Sequence, residues 1–120
     1  MIFTIGYQGK KDAEELVALL KKSQIELLLD VRSKPYGRRY MFNRKILEAT
    51  LPIHGIEYRW AGERLGGFAV IEESAIASLA QEQEGRRVCL MCMEEDPDQC
   101  HRKTEISRRL AGYGVTAIHL

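Results

Sequence analysis

Three groups of residues in this sequence have the types and spacing to do chemistry. Cys92, with Glu94 just beyond it, is followed a few positions later by the run Cys100-His101-Arg102. A thiol near a helix start, beside a carboxylate and an imidazole, has the parts of a nucleophile with acid–base partners, provided it is exposed. Arg102 at the same helix start would favour an anion, because the unpaired amides of a first turn and the helix dipole both attract negative charge. The second group is the stretch from Arg32 to Lys45, which carries Arg32, Lys34, Arg38, Arg39, Arg44 and Lys45 and no acid, interleaved with Tyr36, Tyr40 and Phe42. Guanidinium groups for phosphates and aromatic rings for stacking are what a nucleotide or single-stranded nucleic acid needs. The bland alternative is a solvated basic loop whose aromatics pack it onto the fold. The third group is Cys89 and Cys92, which spell C-x-x-C. Strand alternation dissolves this motif: residues three apart on a strand face opposite sides, so Cys89 belongs in the core with Met91 while Cys92 ends the strand.

A zinc site built from Cys92, Cys100 and His101 is a further possibility, but the spacing is not a standard ligand rhythm and a fourth ligand is missing. No metal or other cofactor is therefore expected. Cys100 can equally sit beneath the helix start as a small hydrophobe, with His101 bonded to backbone.

The elements that must position these groups follow from hydrophobic period. Ile2 to Ile5 reads as a buried strand, and Leu16, Leu19 and Leu20 recur at helical spacing behind an N-cap at Asp12. Ile25 to Val31 has a core, Leu27-Leu28-Leu29, that is apolar on both faces, as a central parallel strand is, and it ends in Asp30-Val31-Arg32. Asp30 is expected to be buried there, holding Arg32 or backbone amides. A helix from Asn43 to about Leu51, a strand at 56–60, a turn at Gly66-Gly67, a helix through Ile76 and Leu79, and a strand from Val88 to Cys92 follow in order. Asp96-Pro97 then reads as an N-cap and first helical residue, which places Cys100, His101 and Arg102 in the first two turns of the last helix. Val115 to Leu120 supplies a fifth strand. The alternation predicts an α/β fold, one three-layer domain over residues 1–120 with an open, mainly parallel five-stranded sheet and helices on both faces. Such sheets bind ligands outside the carboxyl ends of their strands.

Composition excludes more than it selects. A net charge of +1 over 120 residues gives no global pull toward nucleic acid or membrane, so any anionic partner must be read by a local patch. Apolar runs fall well short of the roughly 18 residues of a membrane helix, the N-terminus lacks a signal-peptide plan, and three cysteines do not form a disulfide scaffold. A cytoplasmic location and no membrane partner are the expectations.

Thr4-Ile5-Gly6-Tyr7, then Leu29-Asp30-Val31-Arg32-Ser33 with Pro35, then Leu65-Gly66-Gly67, and finally Cys92-Met93-Glu94 leading to Pro97 and Cys100-His101-Arg102 give the chain its resemblance to the domain of unknown function 488 family. The resemblance covers nearly the whole length and implies an α/β fold of about this size. It implicates Gly6, Tyr7, Asp30, Arg32, Ser33, Cys92, Glu94, Cys100, His101 and Arg102, and it names no activity. Gln8 stands where many relatives place a serine, and the stretch between Gly67 and Ala75 is shorter than theirs, so roles built on that hydroxyl or wall do not transfer.

Three functions are consistent with these residues. The first is binding, with or without catalysis, of a phosphate-bearing small molecule or nucleic acid: Arg32, Arg38, Arg39 and Arg102 hold the anion, Tyr7 or Tyr36 stacks, and Glu94 or His101 handles protons. The second is sulfur or acyl transfer through Cys92 or Cys100. The third is a non-catalytic module that meets a protein or RNA through the basic loop.

Overall fold

A computed structural model of the chain describes residues 1–67 and 70–120, with the side chains of residues 101–104 outside the description. Five strands, β1 (Ile2–Gly6), β2 (Leu27–Asp30), β3 (Glu57–Trp60), β4 (Val88–Cys92) and β5 (Ala117–His119), form one sheet in the order β3-β2-β4-β1-β5. Every pairing is parallel, so the sheet is wholly rather than mainly parallel. The helices are α1 (Ala13–Lys22), α2 (Arg44–Thr50), a one-turn α3 (Gly62–Leu65), α4 (Glu73–Glu82) and α5 (His101–Ala111).

Parallel strands need crossovers, and crossovers of one hand that run in opposite directions along the sheet must lie on opposite faces. From β1 to β2 to β3 the chain moves toward one edge, and α1 and α2 cover one face. From β3 to β4 to β5 it moves back, and α4 and α5 cover the other. Strand alternation sorts the core in step: Phe3, Ile5, Leu28, Cys89 and Met91 pack with Leu16, Leu20 and Leu47, whereas Leu27, Leu29, Val88, Leu90 and Cys92 pack with Ile76, Leu79, Ile106 and Leu110. Cys89 and Cys92 are thus in different layers, as strand period requires. The edge strands β3 and β5 are the more exposed ones, which fits their mixed composition.

Asp12 caps α1 by accepting from the Glu15 amide at 2.9 Å, with Glu14 and Glu15 in the first turn and Lys21 and Lys22 in the last. The last helix departs from its expected start. Asp96 does cap, accepting from the Asp98 amide at 2.9 Å, but what it caps is a 3-10 turn over Pro97–Gln99. Cys100 then adopts φ −106° and ψ 96°, outside helical geometry, with its side chain buried at 1% exposure, and α5 begins one residue later. Placing that thiol in the core beneath β4 breaks the helix that an Asp-Pro start would otherwise continue. Among the described residues no helix is long and apolar enough to cross a membrane.

Candidate functional site

The reversal of crossover direction opens a crevice at the carboxyl end of the sheet. The loops after β1 and β2 leave toward the α1–α2 face, and the loop after β4, the strand between them, leaves toward the α4–α5 face. A cleft of about 420 Å³ occupies this place. Tyr7 and Gln8 line it from the end of β1, Arg32, Ser33 and Lys34 from beyond β2, residues 36–39 from the basic loop, and Met93 from beyond β4. Its charged lining is Arg32, Lys34, Arg38 and Arg39, with no acid among them. A second cavity, about 260 Å³ between β3 and α4, contains Arg59 and Glu82, which pair with each other at 2.8 Å. The charged residues described along the first are of one sign, whereas the second mixes arginines with glutamates.

Arg32 is the keystone of the cleft floor. Asp30, fully buried, accepts on Oδ1 from the Arg32 backbone amide at 3.1 Å and from Nε at 2.8 Å, and on Oδ2 from Nη2 at 2.7 Å and from the Tyr58 hydroxyl. Nη2 also donates to the Phe42 carbonyl at 2.8 Å, which ties the basic loop to the sheet. Tyr7 stacks on Phe42 at 4.8 Å between ring centroids, and the Arg32 guanidinium lies 5.2 Å from the Tyr7 ring centre. The Trp60 indole donates to the Arg32 carbonyl at 2.8 Å, and a Cβ on Gly62 would stand 1.9 Å from that oxygen, so glycine is required where α3 begins. Burial alone would lower the pKa of this guanidinium. The hydrogen bond and charge of Asp30 outweigh it, so the pKa is raised and Arg32 is a permanent cation.

Arg39 is likewise anchored. Its Nη2 donates to the carbonyls of Lys10 and Lys11, and its guanidinium lies 4.7 Å from the Phe42 ring centre. Arg38 is exposed and makes no hydrogen bond to a described residue, and Lys34 is exposed as well. Of the loop aromatics only Phe42 packs inward; Tyr36 and Tyr40 are 66% and 67% exposed. The bland expectation that the aromatics serve to pack the loop therefore holds for one ring of three.

The residues expected at this edge divide between the two faces of the sheet. Tyr7, Arg32, Ser33, Arg38 and Arg39 meet at the cleft. Asp30 stands behind Arg32, and Gly6 lies under the loop after β4, where an added Cβ would fall 1.8 Å from the Glu94 carbonyl oxygen. Cys92 and Cys100 sit in the core layer against Ile106 and Leu110, at 0% and 1% exposure, with their sulfurs 2.8 Å apart. All three cysteines are thiols. Ligand atoms of Cys92, Glu94 and Cys100 lie within 4.8 Å of one another, which makes these the residues able to hold a thiophilic metal ion, and no other such cluster occurs among the described residues. The side chains of His101 and Arg102 lie outside the described residues. Burial sets a clear expectation for the thiols: iodoacetamide should label the native protein slowly at all three and rapidly once denatured, followed by mass spectrometry. Fast native labelling at one cysteine would show that its sulfur reaches solvent.

Tyr58, Trp60 and Gly62 hold the site together without a signal in the sequence, and Phe42, one of the loop aromatics, does so by packing inward rather than by facing a ligand. Tyr58 pairs in register with Leu28, and Trp60 with Asp30, so their relation to Arg32 exists only once β2 and β3 are neighbours. A strand-end aspartate two residues before an arginine was the one local signal.

Comparison with known families gives a match to the model for domain of unknown function DUF488, over residues 12–70 and 68–106. No curated protein matches the chain, and no solved structure does.

Proposed function

Because this chain belongs to the DUF488 family, whose description assigns no activity, we propose from its own geometry that it binds a phosphate-bearing ligand at the carboxyl edge of the sheet. The observation that carries this reading is the cleft at the switch in strand order, whose charged lining among the described residues is Arg32, Lys34, Arg38 and Arg39, with no acid. In a nearly neutral protein such a concentration of one sign focuses potential where a ligand would enter. Arg32 and Arg39 are held by Asp30 and by backbone carbonyls, so their positive charge is fixed in place before a ligand arrives. Preorganised charge is what makes anion binding strong, since little ordering remains to be done on association. Arg38 at the rim supplies donors that a phosphate can take, and the exposed Tyr36 offers a ring for a base. A thiol-transfer route would first have to bring Cys92 or Cys100 out of the core, and nothing in the cleft favours it.

Thermal unfolding with inorganic phosphate and a panel of nucleoside mono-, di- and triphosphates tests the reading. A ligand present at about a hundredfold excess over its dissociation constant stabilises by about 2.7 kcal/mol, a shift of several degrees for a chain of this size. Phosphate-bearing compounds should produce such a shift, weakening as salt rises, while the corresponding nucleosides should not. A flat response across the panel at low salt would remove the proposal.

A further inference from the structure

We infer that the ligand is a single-stranded nucleic acid, with its phosphates in the cationic cleft and its bases in the apolar groove on the far side of Tyr36. The inference rests on the phosphate reading above and adds the class of molecule. The groove measures about 670 Å³ and is walled by Pro35, Tyr36, Tyr40, Ile46 and Trp60, with Arg44 and Lys45 at its margin. Ser33 and Tyr36 line both the groove and the cleft, so the two cavities are neighbours along one wall. The loop is bent around this wall by the Asn43 side chain, whose Oδ1 accepts from the Gly37 amide at 2.7 Å.

Each cavity lies within the usual size range of a small-molecule site, so a mononucleotide filling one leaves the other empty. A purely anionic ligand has no use for a groove whose walls are aromatic and aliphatic. An apolar peptide has no use for a row of cations. A phosphodiester strand carries both features in alternation, an anion and then a flat ring, and so do these walls. Tyr36 and Tyr40 present their rings to solvent, and the Arg44 guanidinium lies 4.9 Å from the Trp60 ring centre. Duplex fits poorly, because its bases are stacked inside and cannot enter a groove. Single strands splay theirs.

Fluorescence anisotropy with labelled oligo-dT and oligo-U, from dinucleotides to about eight nucleotides, reads the proposal directly. Affinity should rise with length until both cavities are filled, single strands should outcompete a duplex of equal length, and Tyr40→Ala should weaken oligonucleotide binding about tenfold or more. Tyr40 does not line the cleft, so the thermal stabilisation by inorganic phosphate should persist in that variant. Binding that does not grow with length, or that survives Tyr40→Ala and Tyr36→Ala, overturns this inference and leaves the phosphate reading standing. Equal capture of a polyglutamate peptide overturns it in favour of an acidic protein partner. If neither oligonucleotide nor inorganic phosphate binds, both readings fail together.

Discussion

Replacing Arg32 with alanine is expected to destabilise the protein by about 3–5 kcal/mol, the cost typical of breaking a buried ion pair from one side. Asp30 is fully buried and its two oxygens take three hydrogen bonds from Arg32. After truncation the backbone amide and the Tyr58 hydroxyl remain, and the carboxylate has no countercharge. Loss of this size is a large share of the total stability of an ordinary domain. Urea denaturation measures it. The partner experiment is Arg32→Met with Asp30→Leu, which removes both charges at once and should recover most of the loss, because no unpaired charge is left inside. If the single variant unfolds like the parent, the network around Asp30 is not what holds the cleft floor.

The same network sets a direction for pH. Burial first, and then the charge of Asp30, push the Tyr58 pKa well above the ordinary tyrosine value of 10.0. Above that ordinary value a tyrosine in the unfolded chain loses its proton while Tyr58 in the folded chain keeps it, so the folded state binds more protons and stability falls as pH rises. The Tyr58→Phe variant should be less stable at neutral pH by about 1–3 kcal/mol, through loss of its bond to Asp30, and should lose stability less steeply at alkaline pH. Parallel urea titrations across the alkaline range would show whether the two slopes differ.

Charge reversal at Arg38 should have the largest effect on binding. Its side chain is exposed and makes no hydrogen bond to a described residue, so Arg38→Glu is expected to change stability by no more than about 0.5 kcal/mol. Loss of one charge-assisted hydrogen bond weakens binding by about tenfold to a hundredfold, and the new carboxylate facing a phosphate adds repulsion, for about a hundredfold to a thousandfold in all. The salt dependence of nucleic-acid binding should also become shallower, by about one phosphate contact. Arg39→Glu would deepen the loss, but it also removes the ties to the Lys10 and Lys11 carbonyls and is the poorer probe. An affinity unchanged by Arg38→Glu would mean that the loop's cations are simply solvated.

Much of the fold is legible in local pattern. The uninterrupted apolar runs at Leu27-Leu28-Leu29 and at 88–92 mark strands covered on both faces, and those strands occupy the interior of the sheet. Asp12 before a helical period gives α1 its start, and the two-residue strand period puts Cys89 opposite Cys92. Asp30 beneath Arg32 was likewise readable from a strand end. Pattern failed where a single side chain's burial outweighed a local preference: Asp96-Pro97 has the form of a helix start, and packing Cys100 under β4 turned it into a 3-10 turn and a break.

By itself, then, the sequence determined the five strands, the longer helices apart from the start of α5, the sheet face on which strand residues lie, and that a basic, aromatic loop follows the second strand. Those properties depend on the periodicity of a continuous stretch of chain. Tertiary structure alone decided that β4 lies between β1 and β2, and with it where the crevice opens and which cations line it. It also decided that Tyr58 and Trp60 reach Arg32, and that the thiols and the guanidinium occupy opposite faces of one edge. The physical reason is that a strand's neighbours are chosen by packing the whole sheet between two layers of helices, and no local stretch of sequence contains that choice.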